Sequence, residues 1–298
     1  MELNFNTLIL SLSKIKNLGR KRIFNLLSNI KNIDDHLIND IFIELKLNEK
    51  LSFDEFKTLY LNSIDEVTKI EKSGVKIINI FENDEFGIFK NKYLLKNKNE
   101  ISEFPNQLFI LNKSNLKLDN NKNIFTIIGT RNNSEESKII TQKITNFLIK
   151  KKSIIVSGLA KGIDTIAHQK VVDLEGIAIA ILANGLDNIY PSENRNLAKS
   201  ILKNGMLVSE YPFGAKAEKF RLIERDRIQA MFCNDIVLIE SKIDGGSMHA
   251  IKWAKKLNKR IWCYNLNASG NIDLINHYEE CIIFKNLEDF IEKYNYYN

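Results

Sequence analysis

Several short stretches of the sequence combine glycine with a cation or a hydroxyl in a way that suits a bound anion. Gly129-Thr130-Arg131 follows the apolar run Phe125-Thr126-Ile127-Ile128, and Ser157-Gly158-Leu159-Ala160-Lys161-Gly162-Ile163-Asp164 follows Ser153-Ile154-Ile155-Val156. Gly245-Gly246-Ser247 opens a helical stretch, and Arg225 and Arg227 end a basic segment that begins at Lys216 and is interrupted by Glu218, Glu224 and Asp226. Glycine lets backbone N–H groups approach an oxyanion, a helix N-terminus favours negative charge, and guanidinium binds phosphate oxygens as a fork. The candidate phosphate-binding set is therefore Gly129, Thr130, Arg131, Ser157, Gly158, Lys161, Gly162, Arg225, Arg227, Gly245, Gly246 and Ser247.

Other chemistries find less support. Cys233, Cys263 and Cys281 are far apart, with only His36, His168, His249 and His277 to join them. That spacing suits neither a zinc site nor a disulfide framework, so reduced buried thiols, no metal and no cofactor are expected. His168 and His249 read as ordinary helix residues, and Ser192 beside Pro191 as a helix N-cap. Tyr190, Tyr211, Phe213 and Phe220 lie near the candidate residues, yet such rings usually pack in a core, as Trp253 and Trp262 are also expected to do.

The elements that must position these residues are legible from periodicity. Beyond residue 123 the chain alternates strand and helix six times, with strand-like runs at 125–128, 153–156, 177–182, 206–208, 236–239 and 260–263, and helical stretches such as 135–150 and 247–257. The strands are short, β-branched and nearly continuous in apolar character, as strands covered on both faces require. The expected architecture is α/β: a Rossmann-like parallel sheet preceded by a small, mainly helical domain. Ligands of such a sheet collect beyond the carboxyl ends of its strands, which is where the glycine turns fall.

Ahead of this region, apolar residues at helical spacing (Leu8, Leu12, Ile15; Ile23, Leu26, Leu27, Ile30) flank a turn at Gly19, and a short strand is expected over 75–80. The five basic residues from Lys14 to Arg22 could face a phosphate backbone or simply be a solvated hairpin surface. The expected divisions are a helical domain over 1–70, a connecting segment over 71–122, the Rossmann-like domain over 123–285 and a C-terminal helix and tail over 286–298. The 298 residues allow about two domains, and the net charge of +6 falls wholly after residue 110, because the earlier residues balance. A basic bias of this size permits a phosphate ligand without requiring one. No long apolar run or secretory start is evident, so a cytoplasmic location away from membranes is expected.

Taken in order, these motifs resemble the bacterial DNA-processing proteins of the DprA/Smf type. The resemblance rests on Gly129-Thr130-Arg131, Ser157 to Asp164, Gly185-Leu186-Asp187 with Tyr190-Pro191 and Glu193-Asn194, Ser209-Glu210-Tyr211-Pro212 with Gly214, Arg225-Asp226-Arg227-Ile228, and Gly246-Ser247. It extends more weakly to the Gly19 hairpin, Lys72-Ser73-Gly74-Val75 and Phe104-Pro105. It implies non-catalytic binding of single-stranded DNA in a positive pocket that includes Arg131 and Lys161, with Arg225 and Arg227 as further candidates. It also implies a homodimer that protects incoming strands during transformation and loads the RecA recombinase onto them.

The chain departs from the family pattern at several points. Asp226 stands where the motif has asparagine, Leu222-Ile223 where it has Phe-Pro, Gly245 where it has serine and Ala250 where it has threonine. Tyr264-Asn265-Leu266 replaces Val-Pro-Gly, and no winged-helix region is expected after it. Two other functions compete: a nucleotide-sensing or defence-associated module using the same pocket, and a phosphoribohydrolase-like enzyme. The second would need a carboxylate where Ala250 stands, or a general base such as Glu240 or Asp244.

Overall fold

The computed structural model describes residues 4–28, 30, 41, 43, 51–82, 103–118 and 123–297. Most of the linker expected around residues 117–123, the first three residues and Asn298 lie outside the described residues. The chain divides into two compact units, Met1–Ile110 and Leu111–Asn298.

In the first unit, α1 (Phe5–Ser13), α2 (Arg20–Leu27) and α3 (Phe53–Lys72) precede β1 (Val75–Asn79) and β2 (Gln107–Leu111). The helical spacing read from Leu8, Leu12, Ile15, Ile23 and Leu27 corresponds to one buried cluster, which Phe56 and Tyr60 of α3 complete. Phe81 stacks on both Phe5 and Phe24 at its edge. A capping box, in which Ser52 and Glu55 satisfy one another's backbone N–H groups, starts α3. The basic hairpin is largely neutralised: Lys14 pairs with Glu66 at 2.7 Å, and Glu103 takes both Lys21 and Arg20.

The second unit holds β3 (Ile124–Ile128), α4 (Glu135–Lys150), β4 (Ile154–Ser157), α5 (Ile163–Asp173), β5 (Ala178–Leu182), α6 (Arg195–Ile201), β6 (Met206–Ser209), α7 (Lys219–Phe232), β7 (Asp235–Leu238), α8 (Ser247–Lys256), β8 (Arg260–Tyr264), α9 (Ser269–His277), β9 (Ile282–Phe284) and α10 (Leu287–Tyr297). Its strands lie in the order β6-β5-β4-β3-β7-β8-β9, and every pairing among them is parallel. The six expected strands are present within a residue or two of their expected limits; β9 lacked enough apolar length to stand out. Strand order reverses between β3 and β7, so the loops leaving these two neighbours must diverge and leave a crevice.

Helices cover both faces. α4, α5, α6 and α10 line one side, where Phe147, Phe290 and Tyr294 interlock with Phe125 and Trp262 of the sheet. α7, α8 and α9 cover the other through Ala230, Ala250, Ile251, Ala254 and Leu274. Trp262 is a packing residue, its indole N–H donating to the buried Asp235, which also holds Arg260. All three cysteines are buried and unbridged. Ser192 does not cap a helix through its side chain; it opens a single 3-10 turn ahead of α6. Among the described residues, no helix is long and apolar enough to cross a membrane.

Candidate functional site

The crevice at the strand reversal is a cleft of about 580 Å³, lined by the loops after β3 and β7, the first half of α7 and the start of α8. Thr130 N–H donates to Glu240 O at 2.7 Å, which fixes the two loops against one another. Glu240 in turn accepts from the N–H and Oγ of Ser134, the residue that caps α4. Glu240 is thereby occupied as a brace and is unsuited to the role of general base considered for it.

The structure separates the sequence-derived candidates into two groups. Gly129, Thr130, Arg131, Arg225, Gly245, Gly246 and Ser247 line the cleft; Ser157, Gly158, Lys161, Gly162 and Arg227 do not. Arg131 is exposed at the mouth, and among the described residues it makes no ion pair. Lys219 and Lys242, which the motif reading did not single out, are exposed beside it. Among the described residues, the N–H groups of Gly246 and Ser247 at the start of α8 have no side-chain cap and no backbone partner. This side of the cleft thus presents three cations and a helix N-terminus, a combination that attracts an oxyanion.

The loop after β4 is built differently. The N–H groups of Gly158 and Ala160 both donate to Asp164 Oδ2, at 3.0 and 3.3 Å, so this turn satisfies its own amides. Gly162 is required for another reason: at φ +77° its missing side chain leaves room for Thr130 O, which would lie 2.3 Å from a Cβ. Lys161 points to solvent and pairs with Glu193, whose carboxyl that hydrogen bond holds below its usual range. Asn194 donates to Leu159 O at 2.8 Å and Asp187 accepts from Gly214 N–H at 2.9 Å, so the matched motifs after β5 brace their neighbours.

Arg225 and Arg227 are not open clamps. Arg225 is 5% exposed, and its Nη1 donates to Gly158 O at 2.6 Å and Ile181 O at 2.8 Å, bridging the ends of β4 and β5. Its Nε lies 3.2 Å from Asp226 Oδ1 as a charge contact without hydrogen-bond alignment. Arg227 is 1% exposed and is bound to Glu210 and to Glu224 O. A guanidinium is favoured for buried ion pairs because it is weakly hydrated and carries five directed donors. Sequence could not distinguish this use from phosphate binding, since both select arginine.

The floor of the cleft is acidic. Asp226 is 7% exposed, and burial pushes its carboxyl up to about 7, against the pull of Arg225 and with added repulsion from Asp164. Asp164 is also raised by burial, which outweighs Arg225 and the two N–H groups it accepts. With its side-chain amide assigned so that the nitrogen faces the carboxylate, Gln229, one turn on, donates to Asp226 Oδ1 at 3.0 Å while its amide oxygen accepts from Gly158 N–H at 2.8 Å. His168 is wholly buried next to this network, neutral, with its pKa lowered to about 4 by burial. Two of the four nearby aromatics also differ from expectation: Tyr190 lines the cleft and is 46% exposed, and Phe220 is 54% exposed with Arg221 over its ring.

A parallel sheet with a cleft at its strand reversal, covered by helices on both faces, defines a Rossmann-like α/β domain. The profile of the DNA recombination-mediator protein A family matches residues 86–295, and the chain belongs to that family. It is 35% identical over 165 residues to protein Smf of Synechocystis (54% of this chain, 42% of that protein) and 36% over 149 residues to DprA of Streptococcus pneumoniae (50% and 51%). It is also 31% identical over 154 residues to DprA of Bacillus subtilis (50% and 52%); the chain thus spans about half the length of the curated relatives it matches. Among solved structures, that of DprA from S. pneumoniae superposes with a TM-score of 0.75 at 22% identity, covering 98% of this chain and 99% of that one. DprA from Helicobacter pylori, described for its single-stranded DNA binding mode, gives 0.59 at 25% identity, covering 74% and 96%.

Proposed function

We propose that this protein binds single-stranded DNA without cleaving it, holding the backbone at the mouth of the cleft. The observation that carries this reading is Arg131, exposed and free of ion pairs among the described residues, beside Lys219, Lys242 and the uncapped start of α8. Arg131, Thr130, Gly246 and Ser247 contact phosphate in this reading, Lys161 extends the basic path, and Gly158, Gly162, Arg225 and Arg227 hold the loops in shape. Family membership and the single-strand binding described for the H. pylori protein support the same ligand. Protection of incoming strands, RecA loading and homodimer formation in the cytoplasm complete the proposal.

No hydrolytic centre is part of it. Ala250 is fully buried where a carboxylate would be needed, and Glu240 is a brace. The cleft volume also suits one nucleotide, which favours a nucleotide-sensing module as the second reading.

Binding of labelled single-stranded and duplex DNA over a salt series tests the proposal. A single-strand preference with log affinity falling linearly in log salt, steeper for longer strands, is expected. Equal binding of both forms, or affinity independent of strand length, would overturn it; the latter favours a mononucleotide ligand.

A further inference from the structure

The polarity of the cleft changes sign with depth. Its mouth carries Arg131, Lys219 and Lys242, whereas its floor carries Asp226 and Asp164. Arg225 does not reverse the floor's character, because one guanidinium faces two carboxyls: its Nε lies against Asp226 and its Nη1 is taken by the carbonyls of Gly158 and Ile181. A phosphate driven to the floor would face two carboxylates, so the anion belongs at the mouth. The lining also includes apolar Ile128, Leu222 and Ile223. A flat, uncharged ring with hydrogen-bond donors on its far edge fits that gradient, and on a nucleic acid this is a base splayed out of the strand.

The floor further selects among bases. Asp164 Oδ2 is directed at its own loop's amides. Asp226 Oδ1 accepts from Gln229, but Oδ2 accepts no hydrogen bond among the described residues, on a side chain more than nine-tenths buried in the lining of the cleft. An ionised carboxylate only accepts. Guanine offers adjacent N1–H and N2–H donors on its Watson–Crick edge. Adenine and cytosine place a ring acceptor beside their amino group, and thymine flanks its single N–H with two carbonyls, so each would set an acceptor against the carboxylate.

We infer that Asp226 is a specificity-determining residue that reads guanine in single-stranded DNA, its carboxylate accepting from the base's Watson–Crick edge while the neighbouring phosphate sits at Arg131. The inference rests on the proposed single-strand binding. It follows from the aspartate, because an asparagine at this position would offer a donor and an acceptor together and tolerate any base.

Substitution of inosine for guanine removes the N2 amino group alone and tests this directly. Fluorescence anisotropy with labelled d(TG) and d(TI) repeats of equal length, at pH 8, is expected to give d(TG) an advantage of about tenfold or more, the effect of one hydrogen bond to a charged group. In Asp226→Asn the ratio is expected to fall to within about twofold as the affinity for d(TI) rises, with circular dichroism unchanged. Equal affinities for the two repeats in the wild type, or a ratio that survives in Asp226→Asn, would overturn the assignment. Failure to bind any single strand would instead overturn the single-strand reading, and this inference with it.

Discussion

Arg225 passes over Gly158 so closely that a Cβ there would lie 1.6 Å from Nη1, while the same Nη1 donates to Gly158 O at 2.6 Å. The glycine of the loop after β4 is thus present to admit a buried guanidinium, and the guanidinium in turn ties two strand ends together. Both residues look like phosphate ligands in the sequence; in the structure each explains the other.

Disturbing this contact should destabilise the protein. Gly158→Ala must displace Arg225, and Arg225→Met would leave two carbonyls and the Asp226 carboxyl without their cation. Breaking a buried pair from one side costs roughly 3–5 kcal/mol. Urea unfolding followed by circular dichroism is expected to show a loss of that order for Arg225→Met; a change under about 0.5 kcal/mol would contradict the bracing role.

Arg131 should behave in the opposite way. Arg131→Ala is expected to leave the urea midpoint within the range of an ordinary surface change. The slope of log affinity against log salt should drop by about one phosphate contact. Lys161→Ala should have a smaller effect, because Glu193 already pairs with that lysine in solvent. A common effect of both substitutions on stability, with no change in salt slope, would count against the mouth as the docking point.

The raised carboxyl of Asp226 predicts a pH-dependent stability. Its ordinary value is 3.8 and the folded value is about 7, so over that interval the folded state binds the proton more firmly. The contribution is full below the ordinary value and is lost as pH rises through about 7. Denaturant midpoints should therefore decline from pH 5 to pH 8, and Asp226→Asn should lessen the decline. A slope will remain from Asp164, whose shift has the same sign. Identical pH profiles for the two proteins would show that Asp226 is ionised throughout.

Exposed Tyr190 at the cleft is placed to stack on a base. Tyr190→Ala is expected to weaken single-strand binding by roughly 1–3 kcal/mol while leaving the unfolding midpoint and duplex binding unchanged. Phe220→Ala, at the start of α7 and outside the cleft lining, with Arg221 over its ring, should lose less. Equal loss for duplex and single strand after Tyr190→Ala would argue against stacking.

Much of the fold was legible in the sequence, for a local reason. Parallel strands buried on both faces must be apolar runs, and the helices between them must carry their own period, so residues 125–128 or 135–150 declare their state without knowledge of their neighbours. β9 did not, because three residues beside Cys281 carry too little pattern. The cleft was legible in outline, since glycine turns follow the strands that flank the reversal.

What sequence alone determined, then, is the alternation of elements, the α/β class and the loops that carry Arg131 and Gly246. Tertiary structure decided which charges remain free. Arg131 and Arg225 have the same side chain and the same motif support, yet one ends a loop at the strand reversal and the other lies on the inner face of α7, against carbonyls that need a donor. Burial and available partners arise only when distant segments meet, as Gly158, Ile181 and Arg225 do. Those contacts turn one arginine into a structural brace and leave the other for a ligand.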